Sequence, residues 1–205
     1  MFIFRQQTVR LDDERYEEIK AEVIDMYEEC DLHNFPLDAF AIAETLHYKV
    51  TPYSKLSQEK LKECLSLTED GCSELVLNPE TGIYEYHIYY NDLNGMNAGR
   101  IQFTVMHEIG HIRLGHLDDD FDKSDTIKEA EANFYAAYSI APPPMVDQYE
   151  CETPEEVCER FNTSYEMGYN ALVRCQKWLR HSKFYEDYEV HMLGLFESKD
   201  HQLAI

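Results

Sequence analysis

The sequence predicts a mostly helical α+β fold with a small antiparallel sheet, and three observations carry that prediction. Capped apolar stripes at helical spacing recur through most of the 205 residues, one stretch around residues 74–91 alternates like paired strands, and an alanine-rich segment follows a histidine-rich helix. The first helix starts at Asp12 or Asp13 and runs to about Glu29, with Tyr16, Ile19, Val23 and Met26 in one stripe. Pro36 opens PLDAFAIAETL, a helical piece leading into the strand-like YKVTPY, and SQEKLKECL reads as a short helix. SELVLNPETGIYEYHIYYN then predicts two strands joined by a turn over Asn78, Pro79, Glu80, Thr81 and Gly82. Strand alternation sends about half of Tyr84, Tyr86, Tyr89 and Tyr90 to the core. A buried helix follows from about Arg100 to Leu114, with Ile101, Phe103, Val105, Ile109 and Ile112 apolar and Gly115 as its stop. In SDTIKEAEANFYAAYSIAPP, Ser124 can cap a further helix, four alanines favour it, and Pro142 ends it. Thr153 caps the next helix with Pro154 in its first turn, and a break at Asn162-Thr163 lets Ser164 cap another. The tail from Phe184 to Ile205 is rich in aromatic, Glu and Asp residues.

The chemistry concentrates in HEIGH, His107 to His111. Histidines four apart on a helix project from one face, so both imidazoles can bind a single Zn²⁺ while Glu108 points beside them at its open position. That is the layout of a zinc peptidase. A catalytic zinc needs a third protein ligand. His116 is one candidate, but HEIGHIRLGH misses HExxHxxGxxH by one residue. Glu131 is the other, mid-helix among small residues that permit close approach to a neighbouring helix. Glu129 is the fallback, two residues earlier and hence on the far side of the same helix. With two neutral imidazoles and one carboxylate the metal keeps net positive charge and lowers the pKa of a bound water, so Glu108 can act as general base. Tyr135, Tyr138 and His87 are candidates to stabilise the oxyanion, with core packing the better role for both tyrosines.

RIQFTVMHEIGHIRLGH followed by EAEANFYAAYSIAPP resembles the ImmA/IrrE metallo-endopeptidases. The resemblance implies a zincin-like metallopeptidase core in which His107 and His111 are zinc ligands, Glu108 is the general base and Glu131, the Glu of EAN, is the third ligand. It also implies residues 1–145 as that core, with residues 146–205 as a helical, helix-turn-helix-like extension packed on it. Where the family has LLMP this chain has Ser139-Ile140-Ala141-Pro142, which implies a more polar or roomier wall of the cleft. The implied substrate is a helix-turn-helix transcriptional repressor of a mobile element or stress regulon. Two other readings stand beside this one: a regulatory protein-binding module whose zinc site is structural or vestigial, and a zinc hydrolase of a small molecule. Retention of Glu108 favours a peptidase, because a structural site needs no general base.

Composition bounds the partners. A formal net charge of -22 disfavours a grip on nucleic acid phosphates and suits a basic or polar protein partner. In the C-terminal helices Arg174, Lys177, Arg180 and Lys183 offer a basic side, but Glu155, Glu156, Glu159 and Glu166 crowd the same unit, so direct DNA contact ranks below packing or partner recognition. The acidic loop with Asp118, Asp119, Asp120 and Asp122 lacks the spacing of a calcium loop and reads as a solvated connection. The six cysteines form no CxxC pair, MFIF is too short for a signal-peptide core, and no apolar run approaches a membrane span. A cytoplasmic protein with reduced thiols is expected.

Overall fold

Asp12 opens the first helix by accepting a hydrogen bond from the Arg15 amide at 2.7 Å, a side-chain cap on α1 (Asp13–Glu29). The computed structural model describes residues 9–93, 95, 97–118, 124–181 and 184–197. Ile19, Val23 and Met26 are fully buried along the inner face of α1, as the helical stripe predicts, while Tyr16 packs at its edge. Asp38 caps α2 (Ala39–Thr45), which leads into β1 (Lys49–Pro52), and Ser57 caps α3 (Gln58–Leu67).

The two predicted strands are β2 (Gly71–Leu77) and β3 (Tyr84–Tyr90), paired antiparallel from Gly71 opposite Tyr90 to Leu77 opposite Tyr84. β1 adds in parallel on the other side of β3, so the sheet order is β1-β3-β2 and the expected antiparallel sheet is in fact mixed. The reason is the crossover: β1 returns to β3 through α3 and β2, which reverses the chain direction twice. β2 is left as an edge strand. Of the four tyrosines Tyr89 is buried, Tyr84 is exposed, and Tyr86 and Tyr90 are half-buried.

The HEIGH segment lies in α4 (Ala98–Arg113), capped by Asn97 and stopped at Gly115, whose φ of 72° suits glycine. The alanine-rich segment is α5 (Asp125–Ile140), packed along α4. Ser124 holds its N-cap position without a side-chain bond. A short α6 (Pro143–Gln148) follows at once, since prolines that end one helix can start the next. α7 (Pro154–Phe161) has a full capping box between Thr153 and Glu156, and Asn162 closes it in the left-handed region before α8 (Tyr165–His181). The unassigned tail contains α9 (Asp187–Glu197), whose Met192 and Phe196 enter the core; Phe196 stacks on Phe35 at 4.5 Å and meets Tyr27 edge-on at 5.3 Å. One hydrophobic cluster runs from Leu11 to Phe196. No described helix is long and apolar enough to cross a membrane.

Two local expectations change. Arg174 is not on a free basic face: its guanidinium lies half-buried against the Ala137 carbonyl at 3.3 Å. Lys177 and Arg180 are exposed, and Lys183 lies outside the described residues. Ser139 does not line a cleft, because it is buried under α1, where its hydroxyl donates to the Tyr135 carbonyl at 2.8 Å and its own carbonyl accepts from Tyr27 at 2.6 Å. Asp119, Asp120 and Asp122 of the acidic loop lie outside the described residues.

Candidate metal centre

Two features of α4 and α5 set the site. Gly110 lets the helices approach, since a Cβ there would stand 3.0 Å from the Tyr135 ring. α1 then locks both helices from behind. Arg113 at the end of α4 reaches Glu22 at 2.6 Å and Glu29 at 2.5 Å, while Arg15 reaches Glu131 of α5 at 2.8 Å.

With the helices so held, His107 and His111 face the same way, their Nε2 atoms 3.0 Å apart. The residue that α5 brings to them is Glu129: its Oε2 is 3.4 Å from His107 Nε2 and its Oε1 is 3.3 Å from His111 Nε2. Asn133, one turn on, shares that face and interacts with His107. Glu131 is not brought there. It points the opposite way, fully buried, and pairs with Arg15 and with His116 Nε2 at 2.9 Å. The expectation that the two glutamates lie on opposite sides of the helix holds, but the side that faces the histidines is that of Glu129. The rotation of α5 follows from its apolar residues, since Tyr135 must meet Gly110, and from the cation on α1 that draws Glu131 inward.

The donor set suits a metal. Ligands about 2.0–2.2 Å from a tetrahedral zinc stand roughly 3.3–3.5 Å from one another. The carboxylate contacts match that spacing and the imidazole pair is slightly closer, so His107, His111 and Glu129 form a group that could hold one ion. The imidazoles of His107 and His111, both within 3.4 Å, hold the Glu129 carboxyl far below the usual carboxylate range. Burial lowers the pKa of His107, but the hydrogen bond to Glu129 and the charge of Glu108 outweigh it and raise the value above 6.5. Arg15 balances likewise, burial opposed by its bonds to Glu131 and Glu18, with a net rise.

Glu108 lies beside this group, buried on the floor of a cleft of about 450 Å³ that His107 and Glu129 also line. Ser73 of β2 donates its hydroxyl to Glu108 Oε2 at 2.8 Å, which leaves Oε1 on the side of Gly71. Gly71 keeps that side open, because a Cβ there would fall 2.6 Å from Thr104 Cγ2 and 2.9 Å from the Tyr89 carbonyl. Leu67, Thr68 and Asp70 form the opposite rim. Tyr135, Tyr138 and His87 are not among the lining residues, and both tyrosines are core residues. Ser73 and Arg15 carry no local signal in the sequence, since their partners are 35 and 116 residues away. Glu129 and Asn133 do have one, a polar pair at i, i+4 on one side of α5.

Residues 75–173 match the family profile Peptidase_M78, described as the IrrE N-terminal-like domain. The matched segment contains His107, Glu108, His111, His116, Glu129 and Glu131. No curated protein matches the chain by sequence. A Mycobacterium tuberculosis transcriptional regulator of solved structure is similar at 14% identity and a TM-score of 0.46, over 76% of this chain and 47% of its own, so the chain spans about half the length of that relative.

Proposed function

We propose that the protein is a zinc-dependent endopeptidase, a reading supported by the match of residues 75–173 to the IrrE N-terminal-like domain of the Peptidase_M78 family. The observation that carries the reading is the convergence of His107, His111 and Glu129 within ligand distance beside the anchored carboxylate of Glu108. Bound there, zinc supplies a Lewis acid that polarises a peptide carbonyl and acidifies a water. Glu108 takes the proton from the attacking water on Oε1 while Ser73 keeps Oε2 in place, and then passes that proton to the departing amine as the C–N bond breaks. The products are a carboxylic acid and an amine, and Glu108 ends ionised as it began.

The substrate is a protein segment in extended form. β2 is one of the two edges of the sheet among the described residues, its first residue Gly71 lines the cleft, and such an edge offers main-chain partners to a peptide strand. A helix-turn-helix repressor is the substrate that the ImmA/IrrE resemblance implies, and a reducing cytoplasm suits six free cysteines. The exposed glutamates of α7 and α8 support a protein partner over DNA.

The test is zinc content beside cleavage of a candidate repressor, followed by mass spectrometry. Wild type and Glu108→Gln should each carry about one zinc, with cleavage in the wild type alone. A wild type without zinc, or a Glu108→Gln variant that cleaves at the wild-type rate, would overturn the reading.

A further inference from the structure

Behind the candidate metal centre a second line of polar side chains runs into the core. His111 Nδ1 stands 3.0 Å from His116 Nδ1, His116 Nε2 stands 2.9 Å from Glu131 Oε2, and the same oxygen accepts from Arg15 Nη2 at 2.8 Å. The side chains of His116 and Glu131 are each 1% exposed, and that of Arg15 is 21% exposed. We propose that Arg15, Glu131 and His116 are positioning residues whose relay fixes the tautomer and ring orientation of His111, so that its Nε2 lone pair faces the metal; this rests on reading His107, His111 and Glu129 as a metal centre.

The hydrogen-bond inventory determines the direction of the relay. An ionised carboxylate only accepts, so His116 donates from Nε2, and a neutral His116 then has a lone pair at Nδ1. His111 Nδ1 faces that lone pair at 3.0 Å, and an N–H there is the donor that this geometry supplies. A neutral His111 with its proton on Nδ1 has its free lone pair on Nε2, the atom that faces His107 and Glu129. The Arg15 guanidinium, 2.8 Å from Glu131, places a positive charge beside the buried carboxylate that His116 faces from the other side. A doubly protonated His116 would reverse the chain, placing the His111 proton on Nε2 and blocking the metal. His107 has no such support: its Nδ1 is buried without a hydrogen-bond partner among the described residues. The relay also ties α1, which lies outside the family match, to a metal ligand on α4.

Nitrogen-15 NMR of the metal-free wild type, with histidine labelled, reads the tautomers directly. At neutral pH the proton should sit on Nδ1 of His111 and on Nε2 of His116. The second arm is zinc affinity by chelator competition for His116→Phe, Glu131→Ala and Arg15→Gln, with melting of each metal-free variant as a check that it is folded. A loss on the order of 10–100-fold is expected, with partial recovery in His116→Gln, whose amide oxygen can accept from His111. Partly exposed Arg15 provides a folded variant should the two buried positions not tolerate change. An Nε2-protonated His111, or folded variants that bind zinc as the wild type does, would overturn the relay while leaving the metal centre intact. A wild type that takes up no zinc would overturn both.

Discussion

Glu129 and Glu131 differ by two residues, and each has a distinct job because a helix turns through about 200° between them. Glu129 is half-open to the cleft and meets two imidazoles, whereas Glu131 is buried against a guanidinium. Glu129→Ala should therefore abolish zinc binding as measured by metal analysis, while the folded Glu131→Ala variant should keep a weakened site. At Ser73 the expected change is subtler, because Ser73→Ala frees Glu108 Oε2 without removing the base. Its kcat should fall less than tenfold, against on the order of 100-fold or more for Glu108→Gln, in a peptide-cleavage assay. Away from the site, burial alone would raise the pKa of Glu74, but hydrogen bonds from Lys60 and Tyr89 hold it below its ordinary 4.5. A depressed acid stabilises the fold above its unfolded value and loses that contribution as pH falls. The melting-temperature gap between wild type and Glu74→Gln should thus be constant near neutrality and close below about pH 4.

At the scale of elements, two glycines set how closely α4 meets its neighbours. A methyl group at Gly110 meets the Tyr135 ring at 3.0 Å, so Gly110→Ala must push α5 away from α4 or displace a fully buried tyrosine. Overpacking of this kind costs about 1–3 kcal/mol, and zinc retention should fall with stability, because Glu129 moves with α5. Gly71→Ala meets the Tyr89 backbone at 2.9 Å, which cannot yield as a side chain can. The displaced β2 would take Ser73 from Glu108, so activity should fall while metal content remains. The helices themselves were legible from their stripes and caps: Asp12, Ser57, Thr153 and Gly115 mark ends that lie where local chemistry puts them. α6 was hidden because its prolines read as a stop, and the parallel pairing of β1 with β3 was hidden because pairing direction is a property of the crossover, not of four residues.

One main core joins most of the described residues, and α1 and α9 both take part in it. α1 supplies Arg15 to the relay and accepts Arg113 from α4, and α9 inserts Phe196 between Phe35 and Tyr27. Phe196→Ala should cost about 3–5 kcal/mol and lower the melting temperature on the order of 10 °C, an effect absent if the tail were an independent appendage. α9 escaped sequence reading because its apolar residues follow no single stripe long enough to stand out from its acidic ones. From the sequence alone came the α+β class, the strand pair, the capped helices and the HEIGH chemistry, because each depends on residues within a turn or two of one another. The tertiary structure decided which face of α5 meets the histidines, where Ser73 anchors the base, and how Arg15 reaches Glu131 across 116 residues. Those outcomes depend on the rotation of one helix against another, which is set by the fit of Tyr135 to Gly110 and by a buried ion pair, and no local pattern in the chain encodes either.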